Sequence, residues 1–171
     1  MPPTLGLGAT LNWLKINEEA NEAVELVLSE IKWGTRSLED WGDDLAISIP
    51  SEIDMKGLQD LESELTRLYG LAANNKFLAD SFLKTSELSK ERAVAKSYRD
   101  IVSEPADKRR TVTTIDHAIV ERTVKEEDTL LYARIISGFW QTQIDIILKK
   151  RDTLKNMFWA LKVQIETDAG N

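Results

Sequence analysis

Few side chains in this 171-residue chain are of a kind that does covalent chemistry. There is no cysteine, so thiol catalysis, disulfides and thiolate metal sites are excluded. His117 is the one histidine, which excludes a histidine-rich metal site and makes a Ser-His-Asp arrangement improbable. It follows Asp116, but no serine, cysteine or carboxylate cluster is tied to it by a motif, and a surface or half-buried structural role suits it better. The phosphate-cradling GxxxxGK[ST], the dinucleotide-binding GxGxxG and the nucleophile elbow GxSxG are all missing.

Carboxylates offer a second route to chemistry, through a metal. Glu18-Glu19-Ala20-Asn21-Glu22 has the EExxE form of the all-α nucleotide pyrophosphohydrolases of the MazG type. Mg²⁺ needs several carboxylate oxygens converging, which those enzymes complete with an ExxD pair on a neighbouring helix. Here the nearest acids are Glu39, Asp40, Asp43 and Asp44, in a Gly-broken, Trp-flanked segment. Acid at a helix start is commonly matched to the helix dipole, so the reading is of a non-enzyme with no cofactor and no metal. Mg²⁺-dependent release of pyrophosphate from a nucleotide would reverse it.

The cations are arranged more suggestively. Arg92, Lys96 and Arg99 share one helix face while Val94, Tyr98 and Ile101 lie opposite. Lys90 extends the basic side, and Lys108, Arg109 and Arg110 follow beyond the expected helix end. Such an array can neutralise phosphates, with Tyr98 or His117 as a stacking surface. Glu91, Asp100, Glu104 and Asp107 are interspersed, so one copy would bind weakly and a repeated patch would bind by avidity. An ordinary salt-bridged helix surface is the competing reading.

The elements that must carry these residues are helices. Hydrophobic residues at 42% and charged residues at 30% are a globular balance. The net charge of −7 hides an asymmetry: residues 1–75 hold 5 Lys/Arg against 14 Asp/Glu, and residues 76–163 hold 17 against 13. A chain start without a basic region and long apolar run, and no stretch near roughly 20 apolar residues, lead us to expect a cytoplasmic protein without a membrane span.

A first helix is expected from about Glu18 to Lys32, with Asn17 as cap and Gly34 past its stop. An irregular segment from Trp33 to Pro50 follows. Ser51 reads as the cap of a long helix to about Ser103, closed by Asp54. Its seam, Leu58, Leu61, Leu65, Leu68, Ala72, Asn75, Ala79 and Phe82, is spaced alternately by three and four. Residues 104–123 read as a basic connector, with Lys108 to Ile115 as a short strand or hairpin. Thr123 to Glu126 reads as a capping box opening a third helix over 124–167, ahead of a short tail, 168–171. That helix carries the longest seam: Leu130, Ala133, Ser137, Trp140, Ile144, Ile147, Arg151, Leu154, Phe158, Leu161 and Ile165.

The fold class is therefore all-α: a long antiparallel helical hairpin (51–103 and 124–167), a short helix in the acidic region 1–50, and a minor β-ribbon in the connector. Pairing Leu58 with Ile165 and Ala93 with Leu130 brings Asn75 opposite Leu148 and Arg151 opposite Ala72. The two polar seam residues would then meet, or Arg151 would face another subunit. The last helix is apolar on more of its circumference than one partner needs, with Leu131, Ile135, Phe139, Ile146 and Met157 off the seam. A homo-oligomer is expected, with Trp140, Ile144, Ile147, Arg151, Leu154, Phe158 and Leu161 as its contact residues.

Several stretches resemble the phage recombination mediator family UvsY. They are Ala72-Ala73-Asn74-Asn75, the run from Lys90 to Asp100, Thr123-Val124, Asp128 to Leu131, Ile147 to Arg151, and Leu154-Lys155, within about residues 70–162. The resemblance implies single-stranded DNA binding, a RecA-like recombinase and a single-strand-binding protein as partners, a ring-forming last helix, and no catalysis. Lys96 matches a DNA-contacting lysine of the family, and Arg99 lies one place from its companion. The acidic first fifty residues and the acidic total depart from the pattern. The rival class is a structural or adaptor helical protein of a phage particle, whose seams serve assembly alone.

Overall fold

A computed structural model describes residues 21–103 and 111–169. The chain divides into two compact units, Met1–Ala46 and Ile47–Asn171. No helix among the described residues is long and apolar enough to cross a membrane.

In the first unit, residues 21–30 are helical (α1), and the chain leaves the helix earlier than the expected end at Lys32. Lys32–Trp33 (β1) pairs antiparallel with Arg36–Ser37 (β2), Lys32 opposite Ser37 and Trp33 opposite Arg36. Gly34 and Thr35 make the two-residue turn. Gly34 has φ +70° and among the described residues no non-glycine has positive φ, the pattern of a type II′ hairpin turn. So Gly34 serves a hairpin, not a helix stop. A short helix absent from the sequence reading follows, Leu38–Leu45 (α2). Its start is a capping box, in which the Ser37 hydroxyl accepts from Asp40 N–H at 3.0 Å and the Asp40 carboxylate accepts from Ser37 N–H at 3.1 Å. Arg36 pairs with Asp44 and stacks over Trp41 at 4.8 Å, and Trp41 Nε1 donates to the Trp33 carbonyl at 3.1 Å. Ile31, Leu38 and Leu45 are buried.

The second unit is the hairpin: Met55–Ser103 (α3) packs against Val112–Ala169 (α4). The expected all-α class holds, and the seams point inward from Leu58 to Phe82 and from Leu130 to Leu154, while Phe158 and Ile165 near the end of α4 are exposed. Leu58, Leu65, Leu68, Ala72 and Ala79 of α3 are buried, as are Leu130, Ala133, Ile136, Trp140, Ile147 and Leu154 of α4. Two buried hydroxyls are satisfied within their own helix: Ser86 donates to the Phe82 carbonyl and Thr123 to that of Ile119, each at 2.9 Å.

Four expectations change here. The start of α3 is capped by Asp54, not Ser51: its carboxylate accepts from Gly57 N–H at 2.7 Å and its carbonyl from Leu58 N–H at 3.0 Å. The start of α4 is Val112, not residue 124. Thr111 caps it, accepting from Thr114 N–H through its hydroxyl and from Ile115 N–H through its carbonyl. Thr111 to Ile115 is thus a helix entry where a strand was expected, and Thr123 is a mid-helix residue rather than a cap. The minor ribbon lies at Lys32–Ser37 instead.

The fourth change follows from the third. Ion pairs and hydrogen bonds join Lys90 to Glu127, Asp80 to Ser137, and Glu62 to Arg151. The expected pairing would have set those α4 residues opposite Lys96, Ser86 and Ala72. With fewer residues outside the helices at the bend, α4 sits roughly two turns away from that register. Asn75 therefore does not meet Arg151. Its amide donates to its own helix at the Leu71 carbonyl, 3.0 Å, while Arg151 grips Glu62 through Nε at 3.0 Å and Nη2 at 2.7 Å. Arg151 serves the hairpin, as a register pin.

A second pin lies mid-hairpin. Lys76 Nζ donates to both Asp80 oxygens at 2.5 Å, and Ser137 Oγ donates to Asp80 Oδ1 at 2.7 Å. These bonds, the lysine's first and then the serine's, hold the Asp80 carboxyl below its ordinary value. Lys76 Nζ also lies 3.3 Å from Ser137 Oγ, which joins the three side chains into one polar cluster across the hairpin.

Candidate nucleic-acid interface

The sequence-derived basic face lies on the last four turns of α3, beside the bend. Arg92, Lys96 and Arg99 are exposed there. Lys90 is half-buried, and its ammonium lies 2.7 Å from Glu127 of α4, which ties it to the hairpin and lowers its share in any phosphate contact. Arg99 Nε donates to the Ala95 carbonyl one turn back at 3.3 Å, an orientation that leaves its two terminal amino groups for a ligand. Lys108, Arg109 and Arg110 lie outside the described residues.

The geometry adds a groove beside this face, of about 620 Å³, lined by Lys90, Glu91, Val94, Ala95, Tyr98, Arg99 and Ile119. Its floor is apolar, from Val94, Ala95 and Ile119. Tyr98 is 52% exposed at its side. Lys90 and Arg99 stand at its edges with one acid, Glu91. Lys96 lies one residue beyond Ala95 on the same turn. An apolar slot carrying an accessible ring and bordered by cations is suited to a flat, partly apolar group attached to an anion, which describes an unstacked nucleobase on its phosphate.

Ile119 could not be found from the sequence while residues 104–123 were read as a connector, since its place in the floor depends on α4 starting at Val112. The usable signal was Thr111 three residues before Thr114, a hydroxyl N-cap pattern. His117 is exposed near the start of α4 and does not line the groove. Tyr98 is the aromatic residue the groove offers.

Two of the acidic positions weighed for metal chemistry have structural uses. Asp40 closes the α2 capping box and Asp44 pairs with Arg36, which holds both carboxyls below their ordinary values. Asp40 owes its shift first to the Ser37 hydroxyl, and Asp44 to the Arg36 hydrogen bond. Glu18 and Glu19 lie outside the described residues, and Glu22 is exposed on α1. Among the described residues no three His, Asp or Glu side chains converge to hold a metal ion.

The residues expected at a subunit interface are mostly inside the hairpin. Trp140, Ile147 and Leu154 are buried, and Ile144, Arg151 and Leu161 are half-buried. Phe158 is exposed, at one side of a second groove formed with Leu58, Glu62, Leu148 and Arg151. The seam is spent on intramolecular packing because α3 and α4 share matching three-four repeats. Exposed apolar residues lie on another face of α4, at Val120, Val124 and Leu131, and near its end at Trp159, Val163 and Ile165.

No protein-family profile, curated protein or solved structure significantly matches this chain.

Proposed function

We propose that this chain is a non-enzymatic accessory protein that binds single-stranded DNA at the bend of its helical hairpin and self-associates to strengthen that binding. Within that reading it is of the recombination-mediator type, helping to load a RecA-like recombinase alongside a single-strand-binding protein. The observation that carries the DNA reading is the apolar groove with the accessible Tyr98 ring, edged by Lys90 and Arg99 and adjoined by exposed Lys96 and Arg92. Aromatic stacking contributes about 1–3 kcal/mol per base and tolerates any sequence. The cations supply the salt-sensitive part. With Glu91 and Asp100 among them a single groove is weak, and repetition in an assembly supplies the rest. The two protein partners rest on the UvsY resemblance of residues 70–162.

Fluorescence anisotropy with labelled oligo-dT tests this at low and moderate salt. Wild-type protein is expected to bind, and to weaken as salt rises. Lys96→Ala and Arg99→Ala should each weaken binding severalfold and reduce the log–log salt slope by about 0.7 per lost phosphate contact. Salt-insensitive binding, no binding by the associated protein, or full binding by both variants would each overturn the proposal. The exposed apolar residues of α4 favour a second reading, a helical structural or adaptor protein of a phage particle. Self-association without any DNA binding is its expected signature.

A further inference from the structure

The outer face of α4, opposite its packed seam, carries Val120, Val124 and Leu131, which are 55%, 49% and 57% exposed. With Gly138 they recur at spacings of four, seven and seven. On a helix these four positions fall within about 40° of one another, a straight stripe turned away from α3. Gly138 is the unexplained member. A glycine inside a long helix destabilises it relative to alanine, and among the described residues nothing beyond its own stretch of helix lies within 4 Å of where its Cβ would stand. No packing inside the hairpin calls for a glycine there.

We infer that this stripe is a two-fold contact between copies of the chain, in which two α4 helices cross antiparallel with Leu131 packed on Leu131 of the second copy. The identity of the occupant follows from what that axis brings together. Val124 and Gly138 lie equally far from Leu131 on either side, about 10 Å along the helix. The valine of each copy therefore seats over the glycine of the other, where a β-carbon would hold the helices apart. The charges complement one another by the same operation. Arg134 is exposed one turn after Leu131, and Glu127 and Asp128 are exposed one turn before it. The two-fold sets Arg134 of each copy beside Glu127 of the other, on the same flank of the stripe. Glu127 also holds Lys90 of its own chain at 2.7 Å, and no ion pair is formed by Arg134 or Asp128 among the described residues. A face that is complementary to itself in apolar, steric and charge pattern fits a second copy better than an unrelated partner.

This contact specifies the self-association proposed above and replaces the buried seam residues as its surface. The DNA reading does not depend on it for the groove itself. The grooves, at Ile119 in each copy, would lie about 36 Å apart along α4 on opposite sides of the axis.

The test uses two charge-reversed full-length proteins, one carrying Arg134→Glu and the other Glu127→Lys, measured by sedimentation velocity and checked for unchanged helix content. Each alone sets like charges together across the axis and is expected to raise the dissociation constant at least tenfold. An equimolar mixture restores both opposite-charge contacts and should return the dimer. Gly138→Leu should also weaken association, in a hairpin with open space for the new side chain. Wild-type protein monomeric at about 100 μM would overturn both this contact and self-association. Wild-type and variants associating equally, or a mixture no stronger than its components, would overturn this contact alone.

Discussion

Trp140→Ala is expected to lower the unfolding free energy by about 3–5 kcal/mol, read as a shift in the midpoint of a urea melt followed by circular dichroism. Trp140 is fully buried and is the largest side chain in the core. Its neighbours on the inner faces are small: Ala72, Ala79 and Ala133 are each fully buried. The Trp140 ring lies edge-on to Phe139, 5.3 Å between ring centroids. Truncation leaves a void that these short side chains cannot reach across. Long, straight helices pinned at Glu62–Arg151 and at Asp80–Ser137 collapse poorly, which places the effect towards the upper end of the range. A midpoint unchanged within error would mean that Trp140 is not a core residue.

Ala133→Asp is expected to be at least as severe, about 3–5 kcal/mol or complete loss of the folded hairpin. Ala133 is fully buried one turn before Ser137, which donates to Asp80. A carboxylate there is desolvated beside a carboxylate already present. Lys76, the nearby ammonium, is already held by Asp80. Ala133→Ser is the control: a hydroxyl can donate to the carbonyl one turn back, so its cost should stay near 1 kcal/mol. Equal behaviour of the two variants in thermal melts would contradict the inward placement of Ala133.

The inner faces were legible in the sequence because three-four spacing is a property of the chain itself. From Leu58 to Phe82 and from Leu130 to Leu154 every seam residue is buried or half-buried. The pairing of those faces was not legible. A heptad seam is nearly the same when slid by a whole repeat, so the apolar pattern alone does not choose a register. That choice rests on where the chain turns and on which polar groups meet. Both depended on the bend, where Thr111-Val112-Thr113-Thr114-Ile115 has β-prone residues. The Thr111 cap and packing on α3 override that propensity, and α4 starts twelve residues before its expected first residue.

Asn75 and Arg151 were recognised as polar interruptions of the seam, yet their partners depended on register and came out differently. At the bend, Tyr98 and the cations around it could be picked out from helix spacing within α3. The groove beside them could not, because its floor is completed by Ile119 from across the hairpin. The contact surface for a second copy was only half visible. Leu131 is apolar and off the seam by spacing alone, while the meaning of Gly138 depends on the open space beside it, which only the fold reveals. The α2 cap was readable in principle, as Ser37-Leu38-Glu39-Asp40. Its short helix was hidden by the turn-prone run from Asp40 to Asp44.

The central claim, that single-stranded DNA is held in the groove at the bend, is tested most directly by ultraviolet crosslinking of the full-length protein to oligo-dT, with the modified peptide identified by mass spectrometry. A stacked base and ring in contact give a covalent adduct at the aromatic residue. The account predicts an adduct at Tyr98, abolished by Tyr98→Ala and diminished by Lys96→Ala. Adducts confined to Phe77, or to Trp159 at the far end of the hairpin, or no adduct under conditions where the protein is associated, would contradict it.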